Sequence, residues 1–294
     1  MNTKIYIDEI PDSLTVADYL KQKTYFPEAA QNVKPKIAYP AVLAFEAPGV
    51  HIDDIELSIE RAIEQYGEYG WQTKDGVNEG YTGFSLTHNP FHQDNPDMHA
   101  STLGTPRNAS NEFFWSVTKN HQKLKNSYFD TYGFCVRTPA SKEGVLGSLL
   151  DSLKRTLVRS RLSTVHGRDK GVGPENMLAW HRDETIFENL RINIPVATSL
   201  EYLFQIEGKE PAHLARGFFY SWDTHIAHRV FSGAVLPTKR THIVLGVSPW
   251  FDYLAEERAW VANEFFGKMH PFDMLREGHV LPGLQFRPDV QIYN

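Results

Sequence analysis

From Ser160 to Val247 the chain is a succession of short runs rich in β-branched and aromatic residues: RLSTV, NMLAW, LRINIPV, EYLFQI, GFFYSW, AHRVF and RTHIVLGV, broken by Gly, Asp, Pro and Lys. Runs this short between turn residues suit strands rather than helices, and so many in succession point to an all-β sandwich or barrel. The flanking sequence is less uniform. Ile55, Leu57, Ile59, Ala62 and Ile63 recur near helical spacing behind Asp53 and Asp54, so a surface helix is expected over Ile52 to Tyr66. A second helix is expected from Val145 to Leu157, with Ser141 as N-cap and Lys154 and Arg155 near its C-terminal end. A last helical segment is expected over Ala255 to Phe266. The stretch from His88 to Asn111 is polar and aperiodic and reads as a long loop of the kind that serves as a lid. No repeat, low-complexity tract or linker divides the chain. One continuous domain is therefore expected over residues 1–294, with an N-terminal elaboration (1–159), a β core (160–250) and a C-terminal helix and tail (251–294).

Two of the runs alternate strictly. In LRINIPV, Leu190, Ile192, Ile194 and Val196 share one face, and Arg191, Asn193 and Pro195 the other. In RTHIVLGV, Thr241, Ile243, Leu245 and Val247 oppose Arg240, His242 and Val244. Each strand thus turns an arginine toward the inside of a barrel, where a guanidinium requires an anion. A bound dicarboxylate would satisfy both, because guanidinium forms bidentate charge-assisted pairs. The alternative is that each arginine pairs with an Asp or Glu on a neighbouring strand or reaches solvent.

Cys135 is the single cysteine, which excludes an intrachain disulfide and any cysteine-based metal cluster, leaving imidazole and carboxylate as metal ligands. A reducing cytoplasm fits that usage. The net charge of -6 gives no overall attraction to nucleic acid, although Lys154, Arg155, Arg159 and Arg161 offer a local basic patch. The first residues are too acidic for a secretory peptide, and no apolar stretch is long enough to span a membrane. A soluble, unprocessed protein is expected, with no membrane partner.

A ferrous oxygenase site needs two imidazoles and one carboxylate on one face of the metal, with the other positions open. His-x-Asp supplies two of the three, and the chain carries it three times. His51 and Asp53 stand where a helix begins, so Asp53 reads as a cap or dipole partner. His92 and Asp94 lie in the irregular loop, with no strand to fix them. His181 and Asp183 fall between NMLAW and LRINIPV, among strands, and are the pair preferred. WDTHIAHRVF offers His225 and His228 as third ligand. His228 heads a short apolar run and stands one turn and a return strand before Arg240, and is preferred.

In the order HRDETIFENLRINIPV, EYLFQIEG, GFFYSWDTHIAHRVF and RTHIVLGV, the chain resembles the aspartyl/asparaginyl β-hydroxylase-like branch of the 2-oxoglutarate oxygenases, which includes bacterial proline cis-hydroxylases. The likeness covers roughly residues 160–249. It implies a double-stranded β-helix, a cupin-like jelly roll with buttressing helices. It also implies that His181, Asp183 and His228 bind Fe(II) and that Arg240 grips the distal carboxylate of 2-oxoglutarate, with Arg191 and Asn193 near the co-substrate. Asn193 stands where many members have histidine, and Ser232 where the distal motif often has asparagine. Related halogenases have a small residue at the position of Asp183, so its carboxylate marks a hydroxylase.

The function so implied is a dioxygenase that consumes 2-oxoglutarate and O2 and hydroxylates an unactivated C–H bond of a free amino acid or related small molecule. A side chain within a peptide or protein is the close alternative, and a metal-binding cupin-like protein without oxygenase turnover the more distant one. The loop around His92, with Trp115, Tyr128 and Tyr132, is expected to close over substrate unless those rings belong to the core.

Overall fold

The strand runs read from the sequence form two facing sheets. The computed structural model describes residues 4–11, 14–73, 76–88, 131–166, 178–232, 239–290 and 292–293. In chain order the strands are β1 (Lys4–Tyr6), β2 (Val42–Glu46), β3 (Tyr69–Thr73), β4 (Gly76–Ser85), β5 (Thr87–His88), β6 (Val136–Arg137), β7 (Arg161–Val165), β8 (Leu178–His181), β9 (Leu190–Ala197), β10 (Tyr202–Ile206), β11 (Phe219–Trp222), β12 (His228–Ser232), β13 (Arg240–Val247), β14 (Phe251–Leu254), β15 (Ala259–Ala262) and β16 (Gln285–Phe286). The α-helices are α1 (Val16–Thr24), α2 (Phe26–Asn32), α3 (Ile52–Tyr66), α4 (Gly144–Asp151) and α5 (Pro271–Arg276).

An eight-stranded sheet runs β16-β2-β11-β9-β13-β7-β4-β3, and a three-stranded sheet runs β10-β12-β8. From β7 to β13 the chain changes sheet at every step. The odd-numbered strands β7, β9, β11 and β13 fill the middle of the large sheet, and β8, β10 and β12 make the small one. Neighbours are antiparallel throughout. This winding defines a double-stranded β-helix, the jelly-roll architecture.

The period of two separates the faces of the large sheet. Leu190, Ile192, Ile194, Val196, Ile243, Leu245 and Val247 point outward into the main core, where Ile55 and Ile59 of α3 and Leu146 and Leu150 of α4 cover them. The buttressing helices are thus in place. A smaller apolar cluster, including Phe204, Ile206, Tyr220, Trp222 and Val230, lies between the sheets and closes part of their interior.

The helix over Ile52 to Tyr66 forms as expected, except that Leu57 is exposed. The second helix is shorter than its periodicity suggests. Ser141 sits in a 3-10 turn (Pro139–Lys142), and α4 begins at Gly144 and ends at Asp151. Leu157 still reaches the core, but from extended backbone bridged to Val247. Residues Ala255 to Phe266 contain no helix: Ala259–Ala262 is the central strand β15, paired with β14 and β1, so that Trp260 is fully buried. A four-residue apolar run does not distinguish the two periods, and pairing with Lys4–Tyr6 decides it.

Gly246 of β13 lies where the segment before β7 crosses the sheet: its carbonyl accepts from Val158 N–H at 2.8 Å, and its N–H donates to Ser160 Oγ at 2.9 Å. A methyl on Gly246 would collide with the Val158 carbonyl oxygen and the Asn189 side chain. Gly246→Ala should lower stability by about 1–3 kcal/mol, the usual cost of overpacking. Unfolding in denaturant checks this, and an unchanged midpoint would show that the crossing can relax.

Candidate metal centre

Strand pairing brings the two histidines together. β8 and β12 are antiparallel neighbours with His181 in register with His228, and the ring centroids are 4.4 Å apart. Asp183 follows the end of β8. Its N–H donates to the Thr224 carbonyl at 2.9 Å, and the Thr224 hydroxyl donates to the Glu184 carbonyl at 2.8 Å. This reciprocal tie fastens the end of β8 to the turn before β12. Asp183 Oδ2 lies 3.9 Å from His228 Nε2, and one ligand atom from each of the three residues lies within 4.8 Å of the others. Among the described residues, these three form the one such cluster of His, Cys, Asp or Glu groups.

Protonation suits a metal. His181 Nδ1 is 2.7 Å from the Ala179 carbonyl oxygen and His228 Nδ1 is 2.9 Å from that of Ile226. A carbonyl oxygen only accepts, so each Nδ1 carries the proton and each Nε2 keeps a free lone pair. Burial pushes the His228 imidazole down to about 4, leaving it neutral near pH 7. Burial also works to raise the Asp183 carboxyl, but the Arg191 and Arg161 guanidiniums outweigh it and keep the group below the ordinary range. Two neutral imidazoles and one carboxylate are the donor set of a facial iron(II) site, so the residues fit the metal.

The two inward arginines have different fates. Arg191 finds a protein carboxylate: its Nη2 is 2.9 Å from Glu184 Oε2 and 3.6 Å from Asp183 Oδ2. Glu184 also accepts from Arg159 at 2.9 Å and from the Thr131 hydroxyl. Burial opposes ionisation of Glu184, yet Arg191, Arg159 and Thr131 together hold its carboxyl far below the ordinary value. Arg240 has no such partner. Its side chain is 6% exposed, and no carboxylate among the described residues pairs with it. Burial pulls its guanidinium down to about 10, still charged at neutral pH. Its Nη2 donates to His242 Nδ1 at 3.0 Å, which places the His242 proton on Nε2.

The triad, Arg161, Arg191, Arg240 and His242 line a cavity of about 50 Å³ between the sheets. Four buried polar atoms on its wall have no hydrogen-bond partner among the described residues: Arg161 Nε, Arg191 Nε, Trp222 Nε1 and His242 Nε2. Given the His242 tautomer, all four are N–H donors. A wall with donors left over is built for a ligand rich in acceptors, such as an anion.

Asn193 lines the same cavity, in register with Tyr220 and Val244, and Ser232 is buried at the end of β12. His225 is exposed in the turn before β12. His51 is the residue before α3, and Asp53 in its first turn pairs with Arg216. His92, Asp94, Trp115, Tyr128 and nearly all of the expected lid loop lie outside the described residues. Tyr132 does not face substrate: it is buried edge-on against Phe251 and Trp260, and its hydroxyl donates to the Glu188 carbonyl. The three arginines of the basic patch that the sequence allowed are engaged elsewhere. Arg155 pairs with Asp252 and Glu264, Arg159 with Glu184, and Arg161 lines the cavity. Glu184 and His242 escaped assignment to the site from sequence. So did Arg161, although the alternation of RLSTV, with Leu162 in the core, would have turned it inward.

No protein-family model and no curated protein matches the chain. Among solved structures, it is similar to the non-heme alpha ketoglutarate dependent epimerase SnoN from nogalamycin biosynthesis (9% identity, 78% of this chain and 84% of that one, TM-score 0.38). It is similar also to the dioxygenase for auxin oxidation 1 from Arabidopsis thaliana, solved with 2-oxoglutarate (15% identity, 82% and 90%, TM-score 0.36). At such identities and scores, the reading of the site rests on the chain's own topology and geometry.

Replacing Glu184 by Gln leaves Arg191 and Arg159 without a buried counter-charge and should cost about 3 kcal/mol at pH 7. Because the carboxyl is depressed in the folded state, its contribution is complete above the unfolded value and fades as pH falls toward the folded one. The gap between variant and wild type should therefore narrow at pH 3. Chemical unfolding at both pH values measures it, and a gap that widens in acid would refute this assignment.

Proposed function

We propose that this protein is an iron(II)- and 2-oxoglutarate-dependent oxygenase, with the metal held by His181, Asp183 and His228. The observation that carries the reading is the buried Arg240 guanidinium, which pairs with no carboxylate among the described residues, with the His242 Nε2–H donor beside it, in the same cavity as the triad. A fixed charge buried without a counter-ion is expensive, and a diacid that meets the metal at one end and Arg240 at the other removes that cost. When bound, iron would supply the redox chemistry, in which 2-oxoglutarate, O2 and a C–H substrate give succinate, CO2 and the hydroxylated product.

The chain's own contribution is orientation and charge. Arg240 and His242 would hold the distal carboxylate of 2-oxoglutarate, and Asn193 faces the same space. Arg191, engaged with Glu184 and Asp183, keeps the Asp183 carboxylate ionised and in place. Burial of Arg240 and His228 excludes water from their hydrogen bonds, which strengthens each of them.

The finer reading is hydroxylation of a free amino acid or a related small molecule, supported by the resemblance to the aspartyl/asparaginyl β-hydroxylase-like branch and by a carboxylate at position 183. Succinate release stimulated by amino acids, compared with short peptides, distinguishes this substrate class from a side chain within a polypeptide.

Arg240→Gln should raise the dissociation constant for 2-oxoglutarate about a hundredfold, the scale of losing paired hydrogen bonds to a charged group, while metal binding is unchanged. His228→Ala should lose iron and succinate formation together. Calorimetric titration of both ligands is the check. Unaltered 2-oxoglutarate affinity in Arg240→Gln would overturn the oxygenase reading in favour of a zinc or manganese cupin-type protein.

A further inference from the structure

A second guanidinium faces the cavity without a counter-ion. Arg161 opens β7, and its side chain makes no ion pair with any carboxylate among the described residues, while its Nε is buried and unpartnered. Its guanidinium helps to keep the Asp183 carboxylate ionised but makes no ion pair with it.

Register fixes where Arg161 stands relative to the co-substrate anchor. Arg161 is opposite Val244 on β13, and Val244 is opposite Asn193 on β9, so these residues form one rung across the large sheet. Arg240 lies four residues further along β13, opposite Val165. At about 3.3 Å per residue the two rungs are about 13 Å apart. Arg191, which contacts Asp183, is one rung beyond Asn193 in the other direction, paired with Gly246. Arg161 thus stands toward the Asp183 end of the cavity and Arg240 toward the opposite end. A diacid bound between the triad and Arg240 would leave the Arg161 guanidinium unoccupied.

The remaining donors agree with this division. His242 lies between the two arginines on the inward face of β13 and is tied to Arg240, whereas Trp222 packs edge-on against His228 with its ring centroid 5.7 Å away and presents an unpartnered Nε1–H. One set of free donors therefore belongs to the Arg240 end, and another, Arg161 and Trp222, to the triad end.

We infer that Arg161 is the anchor for a carboxylate of the primary substrate, so that the molecule oxidised at this centre is an anion distinct from 2-oxoglutarate. The inference rests on the oxygenase reading above and deepens it. Arg161 acts here as a specificity residue: it fixes the substrate's carboxylate beside the triad and thereby selects which C–H bond is presented. A bidentate guanidinium pair also discriminates geometrically, since an amide of the same size offers one acceptor and no charge.

The test is binding, with Mn(II) as a redox-silent metal, followed by calorimetry. 2-Oxoglutarate is titrated first, and then each common L-amino acid alongside its own carboxamide. At least one amino acid should bind the wild-type ternary complex about tenfold or more tightly than its carboxamide, the scale of a charged hydrogen-bonded pair. Arg161→Gln should bring that ratio to about one while keeping the 2-oxoglutarate dissociation constant within about threefold of wild type, unlike Arg240→Gln. Arg161→Lys, which retains the charge but not the fork, should keep part of the preference, and its melting temperature controls for loss of fold. The inference is overturned if no acid is preferred to its amide, if Arg161→Gln keeps the preference, or if that variant loses 2-oxoglutarate as Arg240→Gln does. Wild-type protein that fails to bind 2-oxoglutarate at all would instead overturn the oxygenase reading together with it.

Discussion

Positive charge inside the jelly roll exceeds what the described carboxylates neutralise, and the site is organised around that imbalance. Arg159, Arg161, Arg191 and Arg240 approach the interior from β7, β9, β13 and the segment before β7, and Glu184 is placed to receive two of them. Glu184 is the residue after Asp183, so the same ion cluster that satisfies Arg191 and Arg159 also positions the backbone that carries the third triad side chain. Arg159 reaches Glu184 from a left-handed backbone conformation (φ 44°), a strain of about 1–2 kcal/mol for a non-glycine residue. With Glu184 occupied, Arg161 and Arg240 remain as charges facing the cavity from within the large sheet.

Much of this was legible because strand period is strict. The alternation of LRINIPV and RTHIVLGV put Leu190, Ile192, Ile194, Val196, Ile243, Leu245 and Val247 on the core face and Arg191, Asn193, Arg240, His242 and Val244 on the cavity face, where the structure has them, since a one-residue slip would exchange the two faces. Preference for His181 and Asp183 over the two other His-x-Asp pairs followed from the strands around them, and His228 followed from heading a strand of its own. The register pairing of His181 with His228 was not legible, because nothing local specifies which strand lies beside β8. Nor was the fate of the arginines: sequence alone showed that each needed an anion, and only the fold shows that Arg191 takes Glu184 whereas Arg240 does not.

The errors share a cause. Helix is expected beyond Asp151, where Leu153 and Leu157 fit a period of three to four, and over Ala255 to Phe266. In both places distant chain decides the outcome: Val247 captures Leu157, and Lys4–Tyr6 captures Ala259–Ala262. Arg159 and Arg161 were grouped with Lys154 and Arg155 by nearness in sequence, but Arg159, just before β7, pairs with Glu184, and Arg161, the first residue of β7, lines the cavity.

Both triad imidazoles are steered by a main-chain carbonyl two positions earlier on their own segment, that of Ala179 for His181 and that of Ile226 for His228. Many metal-binding histidines are oriented instead by a carboxylate side chain, which a single substitution can delete. Here the steering group is present whatever residue occupies positions 179 and 226, provided the backbone path is kept. The ligand tautomers are in that sense inherited from the β-helix itself, and those two positions are free to drift over evolutionary time without disarming the centre.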